Sequence, residues 1–225
     1  MSVKSNIGVV TDGLVFYVDA GNDLSYSGSG GTWSDLVGGN DGTLTNGATF
    51  DSGNGGSIVL DGIDDYVDFG SFGVGGHNED YTFSAWSKQS SGGNIFVKGR
   101  DGFGDGWSLR IMRNPNTNQF MASALAGTNI NAVGGIIQLD SWDYITGTWE
   151  YNTRTISLYV NGIFVSSTSV GSPGTLRSST AGWSAARITT TAYSGGNTAC
   201  LSVYNRVLSA SEILQNYNAL KNRFV

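Results

Sequence analysis

The sequence predicts an all-β fold: a two-sheet antiparallel jelly-roll sandwich with one short C-terminal helix. Three observations lead there. Glycine is abundant, 34 of 225 residues against only 2 prolines, and glycine without a G-X-Y period belongs to turns and bulges. Turn signals recur roughly every ten residues, and nearly every segment between them alternates apolar and polar residues, the period of a half-buried strand. A helical period shows only near the C-terminus. Short strands without interleaved helices pair antiparallel in a sandwich, because parallel strands need crossover connections.

Residues 1–13 read as an N-terminal arm or an extra strand. Val3, Ile7, Val9 and Val10 precede the first clear strand and suit pairing with a neighbour's sheet edge or with the domain's own sheet. Deleting residues 1–12 is expected to leave a folded domain with impaired self-association or particle attachment. Residues 14–225 read as a single domain. Leu14, Phe16 and Val18 share one strand face. Asn46-Gly47 separates TLT from ATF, and Asn161-Gly162 separates SLYV from IFVSS; both spacings predict a type I′ hairpin, whose positive φ angles favour Asn and Gly. Further strands are predicted at 57–62, 65–70, 81–88, 94–99, 106–112, 119–125, 142–149 and 199–205. Trp86 and Trp149 lie in alternating runs and are expected in the core, as is Cys200, the single cysteine, which has no intrachain disulfide partner. Ser209-Ala-Ser-Glu212 is a capping box. Ile213, Leu214, Tyr217 and Leu220 then share a face at the helical period, so a helix over 209–220 is expected to dock across the sandwich.

Charge narrows the partners. Twelve Lys and Arg against 18 Asp and Glu give −6, which argues against a nucleic-acid or anionic-membrane binder. No apolar run reaches the roughly 18 residues of a membrane helix, so membrane insertion is not expected. Charged residues are 13% of the chain, about half the usual share. Ser, Thr, Asn and Gly must hydrate the surface, as on proteins that face the extracellular world. MSVKSNIGVVTDG lacks the apolar stretch of a secretory signal, so no signal peptide is expected.

Four blocks carry a family resemblance. They are IVLDGIDDYVDFG at 58–70, YTFSAWSK at 81–88, WDYITGTWEYNTRTISLYVNG at 142–162 and LSVYNRVLSASEI at 201–213. Together they resemble the laminin-G-like, concanavalin A-like jelly-roll domains, in which the Trp of the second block packs in the sandwich. The stretch VTDGLVFYVDAGNDLSYSGSGGTWSDLVG is similar to the opening of such domains in virion proteins of tailed phages, especially phages of marine bacteria and cyanobacteria. The resemblance implies a protein folded in the host bacterial cytoplasm and displayed on the virion surface. Its implied partners are capsid or tail proteins, cell-surface glycans and further copies of itself.

Three chemistries deserve weighing. Glycoside hydrolysis needs paired carboxylates; the chain has Glu79, Glu150 and Glu212, lacks the E-x-D-x-E pattern of the family's hydrolases, and carries one histidine, His77, in a polar loop. Catalysis is not expected. Related domains often bind Ca2+ through Asp, Asn and carbonyl oxygens. Two aspartate clusters qualify, Asp61, Asp64, Asp65 and Asp68 in one, Asp101 and Asp105 in the other, with turn capping as the alternative role. Many relatives place an Asp just before the YNR motif, where this chain has Thr198-Ala199-Cys200. Sugar binding needs an aromatic face beside polar groups. Trp33, Trp107 and Trp183 adjoin Gly- or Ser-rich turns and are candidates for an exposed rim. Trp107 with Arg100, Asp101 and Asp105 is the best local mix, and Asp101 and Asp105 are the candidate Ca2+ ligands. A non-enzymatic virion surface component is therefore expected, for decoration or adhesion, with a free carbohydrate-binding module and a glycan-cleaving enzyme as alternatives.

Overall fold

The structure, a computed structural model, describes residues 8–72, 79–98, 107–114, 117–125, 129–169, 182–189 and 192–225. For 107–114, 117–125, 129, 188, 189 and 192 it describes the backbone alone. The first strands are β1 (Leu14–Asp19), β2 (Thr32–Trp33), β3 (Gly42–Thr45), β4 (Thr49–Asp51), β5 (Ser57–Asp61) and β6 (Tyr66–Gly70). Next come β7 (Tyr81–Gln89), β8 (Gly93–Lys98), β9 (Trp107–Asn114), β10 (Thr117–Leu125), β11 (Asn129–Gly134) and β12 (Trp142–Glu150). The last third adds β13 (Thr155–Val160), β14 (Ile163–Ser169), β15 (Trp183–Ala185), β16 (Arg187–Thr189), β17 (Ala192–Tyr193) and β18 (Gly195–Tyr204). Helix α1 (Ala210–Leu220) follows.

Among the described residues, two eight-stranded antiparallel sheets form the sandwich. One runs β14-β13-β12-β7-β18-β5-β4, with β1 also on β18; the other runs β11-β10-β9-β8-β15-β6-β3-β2. Strand β18 organises the first sheet. One edge lies along β7, while its opposite edge takes β5 at Gly195–Thr198 and β1 at Cys200–Tyr204. All ten of its residues are buried, so it is covered on both faces. Between the sheets pack Phe16, Val18, Trp33, Phe69, Phe83, Phe96, Trp149 and Trp183, all under 5% exposed. Truncating one such aromatic costs about 3–5 kcal/mol.

A second apolar layer lies on the outer face of the first sheet, beneath α1. Trp86 stacks on Phe224 at 4.4 Å and on Tyr217 at 5.6 Å, and Tyr144, Cys200, Leu208 and Ile213 join them. Trp86 is therefore core as expected, but under the helix and not inside the sandwich. Period two explains the placement: Phe83 and Ala85 point inward, so Thr82, Ser84 and Trp86 point out. The helix starts as predicted. Ser209 accepts the Glu212 amide and the Glu212 carboxylate accepts the Ser209 amide. Its buried face differs from the prediction at two positions: Asn216 is buried and Leu214 is exposed. Asn216 earns its interior place by hydrogen bonding, with Oδ1 accepting the Val10 amide at 2.7 Å and Nδ2 donating to Tyr204 Oη at 3.0 Å. Tyr204 Oη in turn donates to the Val10 carbonyl at 3.0 Å.

That clamp ties down the second half of the leading segment. Residues 8–13 form no strand, and Val10 is buried with both backbone groups held by the domain. Residues 8–13 are thus tied to the domain; residues 1–7 lie outside the described residues.

The two Asn-Gly turns diverge. Asn161 and Gly162 have φ of 52° and 79°, and Val160 faces Ile163, a hairpin as predicted. Asn46 and Gly47 also have positive φ, 67° and 123°, yet β3 pairs with β2 and β6 while β4 pairs with β5 in the opposite sheet. The turn is a corner between sheets, tied down where Asn46 Nδ2 donates to the Asp64 carbonyl at 2.9 Å. At the other side of the sandwich the sheet edges are stitched by hydroxyls. Ser166 and Thr168 of β14 donate to the Val133 and Asn131 carbonyls of β11 at 2.9 and 2.7 Å, which blunts both open edges.

Candidate functional site

Four sequence-predicted site residues fall in one segment. Arg100, Asp101 and Asp105 lie outside the described residues, as does His77. Trp107 opens β9, its backbone opposite Lys98 and Ala124; its side chain is likewise not described. Next to this segment, burial lowers the Lys98 ammonium to about 8 against the opposing pull of Glu79, and its Nζ lies 5.8 Å over the Trp183 ring. The other rim candidates are corrected. Trp33 and Trp183 are 0% and 2% exposed, because β2 and β15 turn these side chains into the sandwich, where Trp183 stacks on Phe72 and Phe96.

The glutamates have structural partners. Glu79 accepts from Tyr81 Oη at 2.8 Å, Glu150 from Thr153 Oγ1 at 2.5 Å, and Glu212 pairs with Arg206 at 2.6 Å. The Arg206 guanidinium, helped by the Ser209 amide, holds the Glu212 carboxyl down at about 2.

Carboxylate oxygens of Asp61, Asp64 and Asp65 come within 4.8 Å of one another. Two of these oxygens cap a turn: Asp61 Oδ1 accepts the amides of Ile63, Asp64 and Asp65, and Asp65 Oδ2 accepts the amide of Asp61, while the buried Asp65 Oδ1 has no hydrogen-bond partner. The Ile63 amide, above all, lowers the Asp61 carboxyl, and burial raises that of Asp65. The engaged oxygens serve the turn-capping role weighed for this cluster. The position before the YNR motif is also filled differently. Cys200 lies opposite Asp19, and the cation beside them is the chain's own Arg223. Its Nη1 donates to both Asp19 oxygens at 2.9 and 2.8 Å and lies 3.6 Å from Cys200 Sγ. The Asn54 and Gly56 carbonyls accept its remaining N–H groups at 3.4 and 3.5 Å. Gly21 is required here, since a Cβ would collide with the Gly55 carbonyl and the guanidinium.

A different cluster, missed in the sequence, lies on the outer face of the second sheet. In β6, Val67 and Phe69 point into the core, so Tyr66 and Asp68 point out. After β15 the chain bends at Ala186, φ 64°, and Ser184 Oγ donates to the Arg187 carbonyl at 2.7 Å. The bend lays Arg187 over Tyr66, its guanidinium carbon 3.5 Å from the ring centroid. Tyr193 faces Arg187 across the β16–β17 ribbon and comes 6.2 Å from Tyr66. Arg187 Nη2 lies 3.9 Å from Asp68 Oδ2. Arg187 is 5% exposed, yet its Nε and Nη2 have no hydrogen-bond partner. Buried guanidinium donors are ordinarily paired. Stacking rings beside unpaired donors and a carboxylate are the equipment of a polar-ligand face.

The fold can now be compared with known proteins. Residues 60–214 match the family model described as the concanavalin A-like lectin/glucanases superfamily. The chain belongs to that family. Domain 4 of AbnA, an extracellular arabinanase from Geobacillus stearothermophilus seen in complex with arabinotriose, superposes with a TM-score of 0.69 at 16% identity. That match covers 91% of this chain and 98% of the domain. The binding domain of Paraclostridial Mosquitocidal Protein 1 gives 0.72 at 14% identity, over 92% of this chain and 52% of that one. Trypanosoma rangeli sialidase gives 0.66 at 18% identity, over 96% of this chain but only 34% of the sialidase. At these identities the structures share the family's sandwich. No curated protein matches the sequence.

Proposed function

We propose that this concanavalin A-like domain is a non-enzymatic glycan-binding component displayed on a virion surface, on capsid or tail. The carrying observation is the cluster of Tyr66, Tyr193, Arg187 and Asp68, which combines ring faces with unpaired donors on the outside of a sheet. The arabinotriose complex of the AbnA domain, alike along nearly its full length, supports a saccharide as ligand. The structural duties of Glu79, Glu150 and Glu212 support binding without cleavage. Display on a virion is supported by the phage-like opening of the sequence, and a free carbohydrate-binding module is the second reading that the same face favours. A glycan array probed with wild type and Tyr66→Ala tests the first part: binding by wild type that the variant loses is expected, and equal binding by both removes the site. Mass spectrometry of density-purified particles tests the second, since a chain found only in the soluble lysate favours the free module.

A further inference from the structure

We infer that Asn46 is the position at which this chain deamidates, and that the acid so formed loosens the corner where the chain passes from one sheet to the other. The modification is independent of what the domain binds.

The sequence has three Asn-Gly pairs, at 46–47, 54–55 and 161–162. In such a pair no Cβ shields the glycine amide. Its nitrogen can attack the asparagine Cγ, forming a C–N bond as the Cγ–Nδ2 bond breaks. Nδ2 leaves as ammonia, taking the proton that the amide gives up. Water then opens the succinimide at either carbonyl, which leaves an aspartyl or an isoaspartyl residue. Asn46, Asn54 and Asn161 all have positive φ, at 67°, 53° and 52°, so the left-handed bend does not rank them. Ring closure requires the backbone to rotate out of that bend and Cγ to swing toward the amide. The ranking therefore follows how firmly the bend and the carboxamide are held.

Asn161 is held at both. Val160 faces Ile163 across its closed hairpin, Oδ1 accepts the Tyr144 amide, and Nδ2 donates to Asp143 Oδ1, each at 2.8 Å. Asn54 has its carboxamide pinned at both ends. Oδ1 accepts Trp142 Nε1 at 3.2 Å and Nδ2 donates to the Arg223 carbonyl at 2.9 Å. Asn46 differs. Thr45 pairs with Tyr66 and Thr49 with Val59, in opposite sheets, so no ladder closes the bend between them. Asn46 and Gly47 are both exposed. Among the described residues the Asn46 side chain makes a single hydrogen bond, from Nδ2 to the Asp64 carbonyl, and Nδ2 is the atom that leaves.

Conversion removes this donor and sets an acceptor-only carboxylate beside the carbonyl. The new charge also falls among acids. One carboxylate oxygen each of Asp61, Asp64 and Asp65 already lies within 4.8 Å of the others. Asp65 Oδ1 lies 3.4 Å from where a Cβ on Gly47 would stand. Burial above all, with the Asp61 and Asp64 charges adding to it, raises the Asp65 carboxyl, and a further negative charge at this corner is unfavourable for the same reason.

The test is incubation of the full chain in warm, mildly alkaline buffer, followed by peptide-mapping mass spectrometry that resolves the three asparagines. Acid should accumulate at position 46 about tenfold faster than at 54 or 161, as a mixture of aspartyl and isoaspartyl forms. The melting temperature should fall in step, toward that of Asn46→Asp, which is expected about 2–4 °C below wild type. Asn46→Gln, whose side chain would have to close a larger ring, should keep its own melting temperature through the same incubation. Conversion that is absent at position 46, equal at the three positions, or fastest at Asn54 or Asn161 overturns the assignment. An Asn46→Asp variant as stable as wild type overturns the effect on the corner.

Discussion

Two arginines, Arg223 half-buried and Arg187 buried, one on the outer face of each sheet, have opposite surroundings. Arg223 is enclosed by acceptors: both oxygens of Asp19, the carbonyls of Asn54 and Gly56, and Cys200 Sγ. Burial and the neighbouring Asp19 charge push the Cys200 thiol and the Tyr17 hydroxyl well up, so the guanidinium faces a neutral thiol and phenol and one paired carboxylate. Arg187 is more deeply buried, yet two of its nitrogens reach no acceptor and its nearest carboxylate stops at 3.9 Å. A charge whose donors are satisfied is part of the scaffold. An unsatisfied one, held in place by a ring and a strand bend, is available to something that arrives later. The helix-covered face holds the satisfied charge, and the face proposed for recognition holds the unsatisfied one.

The largest effect should come from breaking the satisfied site. Arg223→Ala strands the Asp19 carboxylate, and removing one partner of a buried pair costs several kcal/mol. Allowing for the partial exposure of the guanidinium, about 2–4 kcal/mol is expected. Thermal and urea unfolding read this directly. Arg223→Lys should recover only part of it, because an ammonium cannot reach the same spread of acceptors. A melting temperature unmoved by Arg223→Ala would make the two arginines alike.

The Val10 clamp comes next. Asn216→Leu orphans the Val10 amide and should cost about 1–3 kcal/mol, and deleting residues 1–12 should destabilise by a similar amount. A truncated chain as stable as the parent would restore the view of this segment as an arm.

A smaller effect is expected at the helix start. Glu212 is held at about 2 against an ordinary 4.5. Its contribution is complete above pH 4.5 and is lost as pH falls through about 2. The urea midpoints of wild type and Glu212→Gln should differ at pH 6 and converge near pH 2; a constant difference would remove the Arg206 pair from the stability of this face.

The sheet architecture was legible because alternation marks a strand wherever one face is buried, and LVFYVD and YTFSAWSK carry it plainly. Which sheet a strand joins was not legible. Asn46-Gly47 has the chemistry of a hairpin turn, but a type I′ bend equally turns a corner, and β3 and β4 are too short to show which. Strands β11 and β15–β17 were not predicted, because NINAVG, WSA, RIT and AY are too short or too polar to show a clear alternation. Arg187 escaped for the same reason, with partners on β6, far away in sequence. One signal was present: in DYVDFG, Val67 and Phe69 must face inward, which forces Tyr66 and Asp68 outward together. Arg223 sits in the short tail KNRFV, where no period marks it. Trp33 and Trp183 misled because a glycine- or serine-rich neighbourhood indicates a turn, not the direction in which the adjoining side chain points.

The difference between the faces can be observed at the two guanidinium groups themselves. In a 15N-resolved NMR titration of the full chain with the oligosaccharide that binds best, the Nε–H resonance of Arg187 should shift in proportion to saturation. The Nε–H resonance of Arg223, already engaged with the Asn54 carbonyl, should stay in place. A titration that saturates while Arg187 remains unmoved, or that moves Arg223 instead, would contradict the assignment of recognition to the face of Tyr66, Asp68 and Arg187.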